Sequence, residues 1–212
     1  MKIALINENS QAGKNGLIED ILKSVVEPMG HKVYNYGRFS ENDGNQRTYV
    51  QVGLLTAILL NSGAADFVIT GCGTGMGAML ACNAFPNVFC GFVENPLDGY
   101  LFSQINAGNA IAMPFAKGFG WGSEINLKYM FERLFEEEPG GGFPKEWAPA
   151  EQRNKKILEG VKKVTCKDMI TILEEIDRDF LLETIKPEPF NKYFFENCKN
   201  DAIKDYIKNL SK

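Results

Sequence analysis

Short apolar segments alternate with amphipathic ones along most of the chain. KIALI, HKVYNYG, DFVIT, VFCGFV and AIAMP read as strands. Apolar residues at helical spacing predict a helix after the first strand, and they are Leu17, Ile18, Ile21, Leu22, Val25 and Val26. Further helices are predicted over residues 48–61, 76–84, 96–106 and 123–135, with ENDGNQR as a loop. Because strands buried on both faces are almost continuously apolar, this order predicts an α/β fold with a parallel sheet covered by helices on both faces.

The pattern changes after Glu136. EEEPGGGFPKEWAP reads as a Gly/Pro-rich connector, and the rest of the chain is charged, amphipathic and without a strand signal. We therefore expect a sheet domain over residues 1–138 and a helical C-terminal extension over residues 139–212. Thr165 and Asp168 resemble a capping box that opens one helix, DMITILEEIDRDFL. The aromatic residues of the extension are too apolar for a free tail, so it should pack on the sheet domain or on a partner subunit.

Composition excludes several classes of protein. A formal net charge of -4 gives no basic field for nucleic acid, and no apolar stretch is long enough for a secretory signal or a membrane span, so we expect a cytoplasmic protein. The 5 cysteines form no CxxC pair and no metal spacing, so neither a disulfide framework nor a metal site is expected. The single histidine, His31, rules out any mechanism that needs two.

The segment VITGCGTGMGAM carries the main chemical signal. Gly71, Gly73, Gly75 and Gly77 leave main-chain N–H groups uncovered where a helix begins, at the carboxyl end of a strand, which favours an anion. Cys72 would lie among these amides, which favour a thiolate that can act as a base.

A dinucleotide site is the alternative interpretation of the same turn. Gly73, Gly75 and Ala78 match the G-x-G-x-x-G/A spacing, and Glu94 lies where the ribose-binding acid is expected. That fingerprint normally follows the first strand, whereas two strand-helix units precede it here.

Other candidates follow neighbouring strands. Glu8, Asn9, Ser10 and Gln11 come directly after the first strand, and we expect them to contact the substrate. Arg38 follows the second strand, and either an anion-binding role or ordinary solvation is open for it. Glu94 and Asp98 lie near the same edge, as a second acid or base or as carboxylates at a helix start. His31 precedes a strand at the opposite edge, where a structural role is favoured.

The order of these residues resembles the ribose-5-phosphate isomerase B and galactose-6-phosphate isomerase family. Cys72-Gly73-Thr74-Gly75-Met76-Gly77 carries the resemblance together with the later residues Asn83, Pro96, Gln104, Asn106 and Asn109. It covers roughly the first two-thirds of the chain. The resemblance implies a Rossmann-like sheet, a homodimer with shared active sites, no metal or nucleotide cofactor, and aldose-ketose isomerisation through an enediolate.

The resemblance also assigns roles. Cys72 matches the cysteine that moves a proton between adjacent carbons. Thr74 and the amides of Gly73, Gly75, Met76 and Gly77 match the turn that stabilises the oxyanion, a combination that proton abstraction beside a carbonyl requires. Asn106 and Arg153 match substrate-binding positions.

The chain departs from the family at its ring-opening and phosphate-binding residues. Ile105 stands in place of the ring-opening histidine, Ser10 and Gln11 replace an Asp-His pair, and the partner of Arg153 has no counterpart. We therefore expect an open-chain sugar acid, held by Arg38, Arg153 or Lys117. The long chain with its helical extension resembles the 4-deoxy-L-threo-5-hexosulose-uronate isomerases, which act on uronates from glycosaminoglycans.

Two alternatives remain beside that substrate. A ribose 5-phosphate or galactose 6-phosphate type of sugar phosphate is the second substrate class. A nucleotide-binding oxidoreductase or a sugar sensor on the same sheet is the alternative from another class of protein.

Overall fold

The computed structural model describes residues 1–40, 42 and 46–210. Five parallel strands form one sheet in the order β2-β1-β3-β5-β4. The strands are β1 Lys2–Asn7, β2 Lys32–Asn35, β3 Phe67–Cys72, β4 Cys90–Phe92 and β5 Ala110–Pro114. All five strands predicted from the apolar segments are present, and the α/β prediction is confirmed. Residues 41 and 43–45 of the predicted loop lie outside the described residues.

Alternate residues of the central strands face two separate cores. Ile3 and Leu5 of β1 pack on one side of the sheet with α1 and α5, which span Asn15–Val26 and Ser123–Phe135. Ala4 and Ile6 face the other core, where the small and branched side chains of the sheet meet α2, Tyr49–Asn61, and α3, Met76–Asn83. Burial on both faces explains why these strands lack polar alternation.

Six further helices complete the described chain. α4 spans Pro96–Leu101 and continues as a π-helical turn over Phe102–Asn106. The connector ends in a short 3-10 turn, Lys145–Trp147. The remaining helices are α6 Ala148–Thr165, α7 Met169–Glu175, α8 Arg178–Ile185, α9 Glu188–Asn197 and α10 Asp201–Leu210. Among the residues that the structure describes, no helix is both long and apolar enough to cross a membrane.

The C-terminal helices α7 to α10 share a core with the sheet. Phe190 and Phe194 of α9 are fully buried, stack at 4.6 Å between ring centroids, and belong to the same apolar cluster as α2. The extension thus packs on the sheet domain of the same chain, which is one of the two arrangements predicted from the sequence. The 138/139 boundary itself stays a prediction.

One helix of the extension was predicted wrongly. The segment DMITILEEIDRDFL forms two helices, because α7 ends at Glu175 and Asp177 accepts a hydrogen bond from the Phe180 N–H at 2.8 Å, which caps a new helix. The predicted capping box is also wrong. Thr165 is the last residue of α6, and Asp168 alone caps α7 by accepting from the Thr171 N–H at 3.1 Å.

Helices α2 and α3 approach each other at Gly53. A Cβ atom placed on Gly53 would lie 2.6 Å from the main-chain carbon of Ala81 and 2.7 Å from its oxygen. No side chain fits in that space, so a glycine is required where the two helices cross.

We predict that Gly53→Ala destabilises the protein by about 1–3 kcal/mol, because the methyl group forces the backbones of α2 and α3 apart. Gly16→Ala is the matched control, since Gly16 is also helical but a Cβ there meets nothing within 4 Å. That control should be stabilised by about 0.5–1 kcal/mol. Urea unfolding measures both, and equal stability of the two variants would contradict the close approach.

Candidate active site

The central strand β3 ends at Cys72, and main-chain hydrogen bonds hold the turn that follows it. The Phe115 N–H donates to the Cys72 carbonyl at 3.0 Å, and the Ala116 N–H donates to the Gly73 carbonyl at 2.9 Å. These bonds extend the pairing of β3 with β5 past the end of both strands. The turn is therefore fixed to the sheet before α3 begins.

Two glycines of this turn leave no room for a side chain. A Cβ on Gly71 would lie 2.3 Å from the Met113 carbonyl oxygen, and one on Gly75 would lie 2.7 Å from Cε2 of Phe92. Gly75 is also the N-cap of α3 with φ +75°, a left-handed conformation that favours glycine. The first N–H groups of α3 have no partner within the helix, so this end of the helix can receive negative charge.

Cys72 lies at the boundary between this turn and the core. It is 8% exposed and belongs to the apolar cluster that also contains Ala78 and Ala112. Its neighbours Gly73 and Thr74 are half-buried and exposed, so the turn itself is open to solvent. Met76 is 53% exposed, and the ring of Tyr49 would be 3.2 Å from a Cβ on Gly77. The predicted amide donors thus lie in a turn that is open to solvent, and the predicted base lies directly before it in the chain with 8% of its surface exposed.

The end of β1 supplies a second group of polar residues. Asn7 is fully buried; its side-chain amide donates to the Gln11 carbonyl at 3.0 Å, and its side-chain oxygen accepts from Asn15 at 3.1 Å. These bonds hold the 3-10 turn Asn9–Lys14 at the carboxyl edge of the sheet. Gln11 reaches the glycine turn, because its Nε2 would be 3.8 Å from a Cβ on Gly73.

Arg38 joins this group through Asn9. Its Nη1 donates to Asn9 Oδ1 at 2.9 Å, and the residue is 8% exposed. Arg38 also lines a cavity of about 390 Å³ together with Tyr36, Arg47 and Glu188. The alternative of an ordinary solvated arginine does not fit this burial, and the guanidinium lies beside a space that can hold an anion.

Arg47 supports the segment that carries Arg38, and no pattern in the sequence indicates this role. Its main-chain N–H donates to Asn9 Oδ1 at 2.6 Å, and its Nη1 donates to the Gly37 carbonyl at 3.1 Å and to the Tyr36 carbonyl. Arg47 is 2% exposed, and its bonds to these two carbonyls hold the main chain directly before Arg38 in place.

Lys14 is the second polar residue that the sequence did not indicate. Its Nζ donates to Gln11 Oε1 at 2.8 Å and to the Phe115 carbonyl beside the glycine turn. Burial lowers the pKa of the Lys14 ammonium, because the charged form loses hydration.

Two predicted substrate-binding residues lie elsewhere in this chain. Asn106 is exposed at the end of the π-helical turn and lines a cavity of about 600 Å³ beside the edge strand β4. Arg153 is exposed on α6 next to Asn154, which lines the same cavity. Phe92 also lines this cavity and lies against Gly75 of the glycine turn, but Cys72 is not among the lining residues, so one copy of the chain does not show Asn106 or Arg153 in contact with Cys72.

The other charged candidates also have local partners. Lys117 pairs with Glu94 at 2.9 Å, and both side chains are about half exposed. Asp98 accepts from the Glu94 N–H at 3.0 Å and from the Asn95 side chain at 2.9 Å, which is a capping role. His31 Nδ1 lies 3.1 Å from the N-terminal amine, at the amino edge of the sheet, and burial lowers its pKa. Its predicted structural role matches this position.

The described residues contain no group of three or more His, Cys, Asp and Glu side chains that could hold a metal ion. The residues gathered at the site are instead hydroxyl, amide, guanidinium and main-chain N–H donors around one thiol. Such an arrangement can bind an anion and move a proton beside a carbonyl group.

The family comparisons agree with this chemistry. The family model described as Ribose/Galactose Isomerase matches residues 3–137, and one described as Ribose-5-phosphate isomerase matches residues 164–210. No match was found among curated proteins.

Two solved structures resemble the whole chain. A 4-deoxy-L-threo-5-hexosulose-uronate ketol-isomerase complexed with a tartrate is 63% identical, with TM-score 0.97 and 99% of both chains covered. A ribose-5-phosphate isomerase from Vibrio parahaemolyticus is 46% identical, with TM-score 0.96 and 99% of both chains covered. A ribose 5-phosphate isomerase from Thermotoga maritima shares the fold at 20% identity, with TM-score 0.57 over 75% of this chain and 97% of that one.

These matches decide between the classes of protein left open by the sequence, since the relatives are aldose-ketose isomerases and not nucleotide-dependent oxidoreductases. The glycine turn with its cysteine lies inside the matched range of the first family model. The chain belongs to the ribose/galactose isomerase family of sugar isomerases.

Proposed function

We propose that the protein interconverts an aldose and a ketose without a cofactor, and that its substrate is 4-deoxy-L-threo-5-hexosulose uronate. The observation that carries the reaction type is the placement of Cys72 beside the glycine turn at the end of β3. The substrate class is supported by the 63% identical relative that is named for this uronate.

In the proposed mechanism Cys72 is the base. Its thiolate takes the proton from carbon 2, next to the aldehyde, and later returns it to carbon 1. Negative charge then develops on the carbonyl oxygen as the enediolate forms. Thr74 and the amides of Gly73, Gly75, Met76 and Gly77 stabilise that charge, and one such donor is typically worth about 3 kcal/mol of the barrier.

The chemistry of this uronate fits the departures from the family pattern. Carbon 4 carries no hydroxyl group and carbon 5 is a ketone, so neither can close the usual sugar ring on the aldehyde. A base for ring opening is then unnecessary, which agrees with Ile105 at the position of the family histidine.

The carboxylate of the substrate is proposed to bind Arg38. Its guanidinium is oriented by Asn9 and lies at the cavity of about 390 Å³ on the same edge of the sheet as Cys72. A planar guanidinium matches a carboxylate with two parallel hydrogen bonds.

A sugar phosphate is the second candidate substrate. The 46% identical relative is named as a ribose-5-phosphate isomerase, and the two relatives resemble this chain over the same length. The identities of 63% and 46% favour the uronate.

We further propose that the protein works as a homodimer with shared active sites. Helix α6 has no buried residue, and its Ile157, Leu158, Val161 and Val164 are 59%, 54%, 50% and 88% exposed on one face. Leu80 of α3 is 68% exposed as well. We propose that a second copy covers these residues and contributes its own Asn106 and Arg153 to the site at Cys72, as the resemblance to the family implies.

The proposed location is the cytoplasm. All five cysteines are free, and none is paired in a disulfide. Free thiols are usual where glutathione and thioredoxin keep cysteines reduced.

The first prediction from this proposed function concerns the identity of the substrate and of the base. Purified protein should consume 4-deoxy-L-threo-5-hexosulose uronate and leave ribose 5-phosphate unchanged. Cys72→Ala should lower kcat for the uronate at least about 100-fold, because the base is lost. Cys166→Ala is the control, because Cys166 lies at the end of α6 and should leave turnover intact. Consumption of the phosphate alone would overturn the substrate, and an active Cys72→Ala variant would overturn the base.

The second prediction concerns the carboxylate. Arg38→Ala should raise KM for the uronate about 10-fold to 100-fold, the size expected when a hydrogen bond to a charged group is lost. Lys117→Ala should leave KM unchanged, because Lys117 does not line the cavity beside Arg38. Initial-rate kinetics of the two variants separate these candidates, and the reverse ranking would refute the role of Arg38.

The third prediction concerns the dimer. Val161→Asp places a charge in the apolar face of α6 and should convert a dimer to an inactive monomer in analytical ultracentrifugation. Leu17→Asp is the control, since Leu17 is 43% exposed on α1, a helix that packs with α5 and carries none of the residues of the proposed interface. A monomeric wild-type protein that turns over substrate would contradict shared sites.

A further inference from the structure

A continuous line of side-chain hydrogen bonds runs along the carboxyl edge of β1. Lys14 Nζ donates to Gln11 Oε1 at 2.8 Å, and Gln11 Nε2 donates to Ser10 Oγ at 2.8 Å. Ser10 Oγ then donates to Glu8 Oε2 at 2.7 Å. We call these four residues the proton line.

The direction of every bond in the proton line is set by its two ends. A lysine ammonium can only donate, so the oxygen of the Gln11 amide must face Lys14 and its NH₂ group must face Ser10. A carboxylate can only accept, so the Ser10 hydroxyl proton must point to Glu8. All three hydrogen bonds therefore point the same way, from the ammonium of Lys14 to the carboxylate of Glu8.

With the bonds directed in this way, Ser10 Oγ keeps one lone pair that accepts no hydrogen bond within the proton line. A hydroxyl oxygen has two lone pairs and one proton. The proton is donated to Glu8 and one lone pair accepts from Gln11, so the second lone pair can accept a hydrogen bond from a ligand. Ser10 is exposed, and nothing in the line blocks this approach.

The proton line lies directly beside the glycine turn. Gln11 Nε2 would be 3.8 Å from a Cβ on Gly73. Lys14 donates to the carbonyl of Phe115, whose N–H donates to the Cys72 carbonyl at 3.0 Å. A sugar in contact with Cys72 and the amides of the turn would thus have Ser10 on its β1 side.

Aldose-ketose isomerisation requires two proton movements. Cys72 moves the carbon-bound proton, but the hydroxyl proton on oxygen 2 must also leave and oxygen 1 must gain one. The groups assigned to the oxyanion are hydrogen-bond donors, and the main-chain amides among them cannot take up a proton at neutral pH. Thr74 has a hydroxyl group, but among the described residues it makes no hydrogen bond to a carboxylate that could take its proton, whereas Ser10 does.

We propose that Ser10 and Glu8 carry this hydroxyl proton. In the enediolate, Ser10 Oγ takes the proton from oxygen 2 as its own proton passes to Glu8. The two transfers then run backward, and Ser10 delivers a proton to oxygen 1 while Glu8 returns its proton to Ser10. No atom or electron is gained or lost, and the step rests on the isomerase reaction proposed above.

Lys14 is the positioning residue of this step. It touches neither Ser10 nor Glu8, but it fixes the orientation of the Gln11 amide. Without that ammonium the amide can turn over and present its oxygen to Ser10. The hydroxyl proton would then point to Gln11, and the transfer to Glu8 would stop.

The test compares two rates for each variant in D₂O with the uronate as substrate. One is formation of the ketose, and the other is incorporation of deuterium at carbon 2 of the recovered aldose, which requires Cys72 and the glycine turn but not the proton line. In Ser10→Ala we expect ketose formation to fall about 100-fold, the usual contribution of a proton-transfer group, while deuterium exchange falls less than about threefold. Ser10→Thr retains the hydroxyl and should recover most of the isomerisation.

Three further variants complete the experiment. Glu8→Gln should raise the ratio of exchange to isomerisation as Ser10→Ala does, and Lys14→Met should raise it in the same direction with a smaller loss of turnover. Ser24→Ala is the control, because its hydroxyl only donates to the Ile21 carbonyl at 2.7 Å on α1. Its ratio should equal that of the wild type.

The outcomes separate this inference from the function on which it rests. If the wild type shows neither exchange nor turnover, the proposed isomerase function fails. If Ser10→Ala loses exchange and turnover equally, or loses neither, the isomerase stands and the proton line is refuted.

Discussion

Gly71 and Gly75, at the end of the central strand and in the turn after it, have no space for side chains, and the candidate site depends on that constraint. β3 and β5 come so close after Thr70 that the oxygen of Met113 fills the place of a Cβ on Gly71. At these glycines only main-chain atoms fit, and the N–H groups of the turn are the donors that we propose for a bound substrate. Cys72, Thr74 and Met76 do carry side chains. The side chain of Cys72 lies at the boundary of the core, and its carbonyl accepts from the Phe115 N–H. A thiol beside fixed amide dipoles is the arrangement that enolisation requires, because these donors need no reorganisation as charge develops.

The surroundings of that turn come from distant parts of the chain. β1 contributes the polar turn that carries Ser10 and Gln11, and the segment after β2 contributes Arg38, pinned through Asn9. The C-terminal extension forms one side of the cavity beside Arg38, since Pro187 and Glu188 line it. The extension is therefore both part of the core, through Phe190 and Phe194, and part of the proposed substrate site.

The sheet could be predicted well from the sequence, for a physical reason. Strands covered on both faces are marked by continuous apolar runs, and the glycine-rich turn marks a carboxyl end where ligands bind. The break between α7 and α8 was missed because Asp177 caps a helix in the middle of a segment that is helical in its pattern throughout. Such a cap is visible in a sequence only when a turn signal accompanies it.

The sequence indicated members of the candidate site only where a reactive or polar residue directly follows a strand. Cys72 and the residues after β1 could be named because they follow strands. Lys14 and Arg47 could not, because their roles come from burial and from bonds to Gln11, Phe115 and Gly37, which no local pattern encodes. Asn106 and Arg153 were identified by resemblance alone, and a single chain does not show what they would contact.

The central claim is that Cys72 removes a carbon-bound proton at this turn. The most direct measurement is mass spectrometric or NMR detection of deuterium at carbon 2 of the uronate after incubation with wild-type protein and with folded Cys72→Ala in D₂O. The account predicts rapid incorporation by the wild type and none above the uncatalysed rate by the variant. Equal incorporation by both proteins would contradict it.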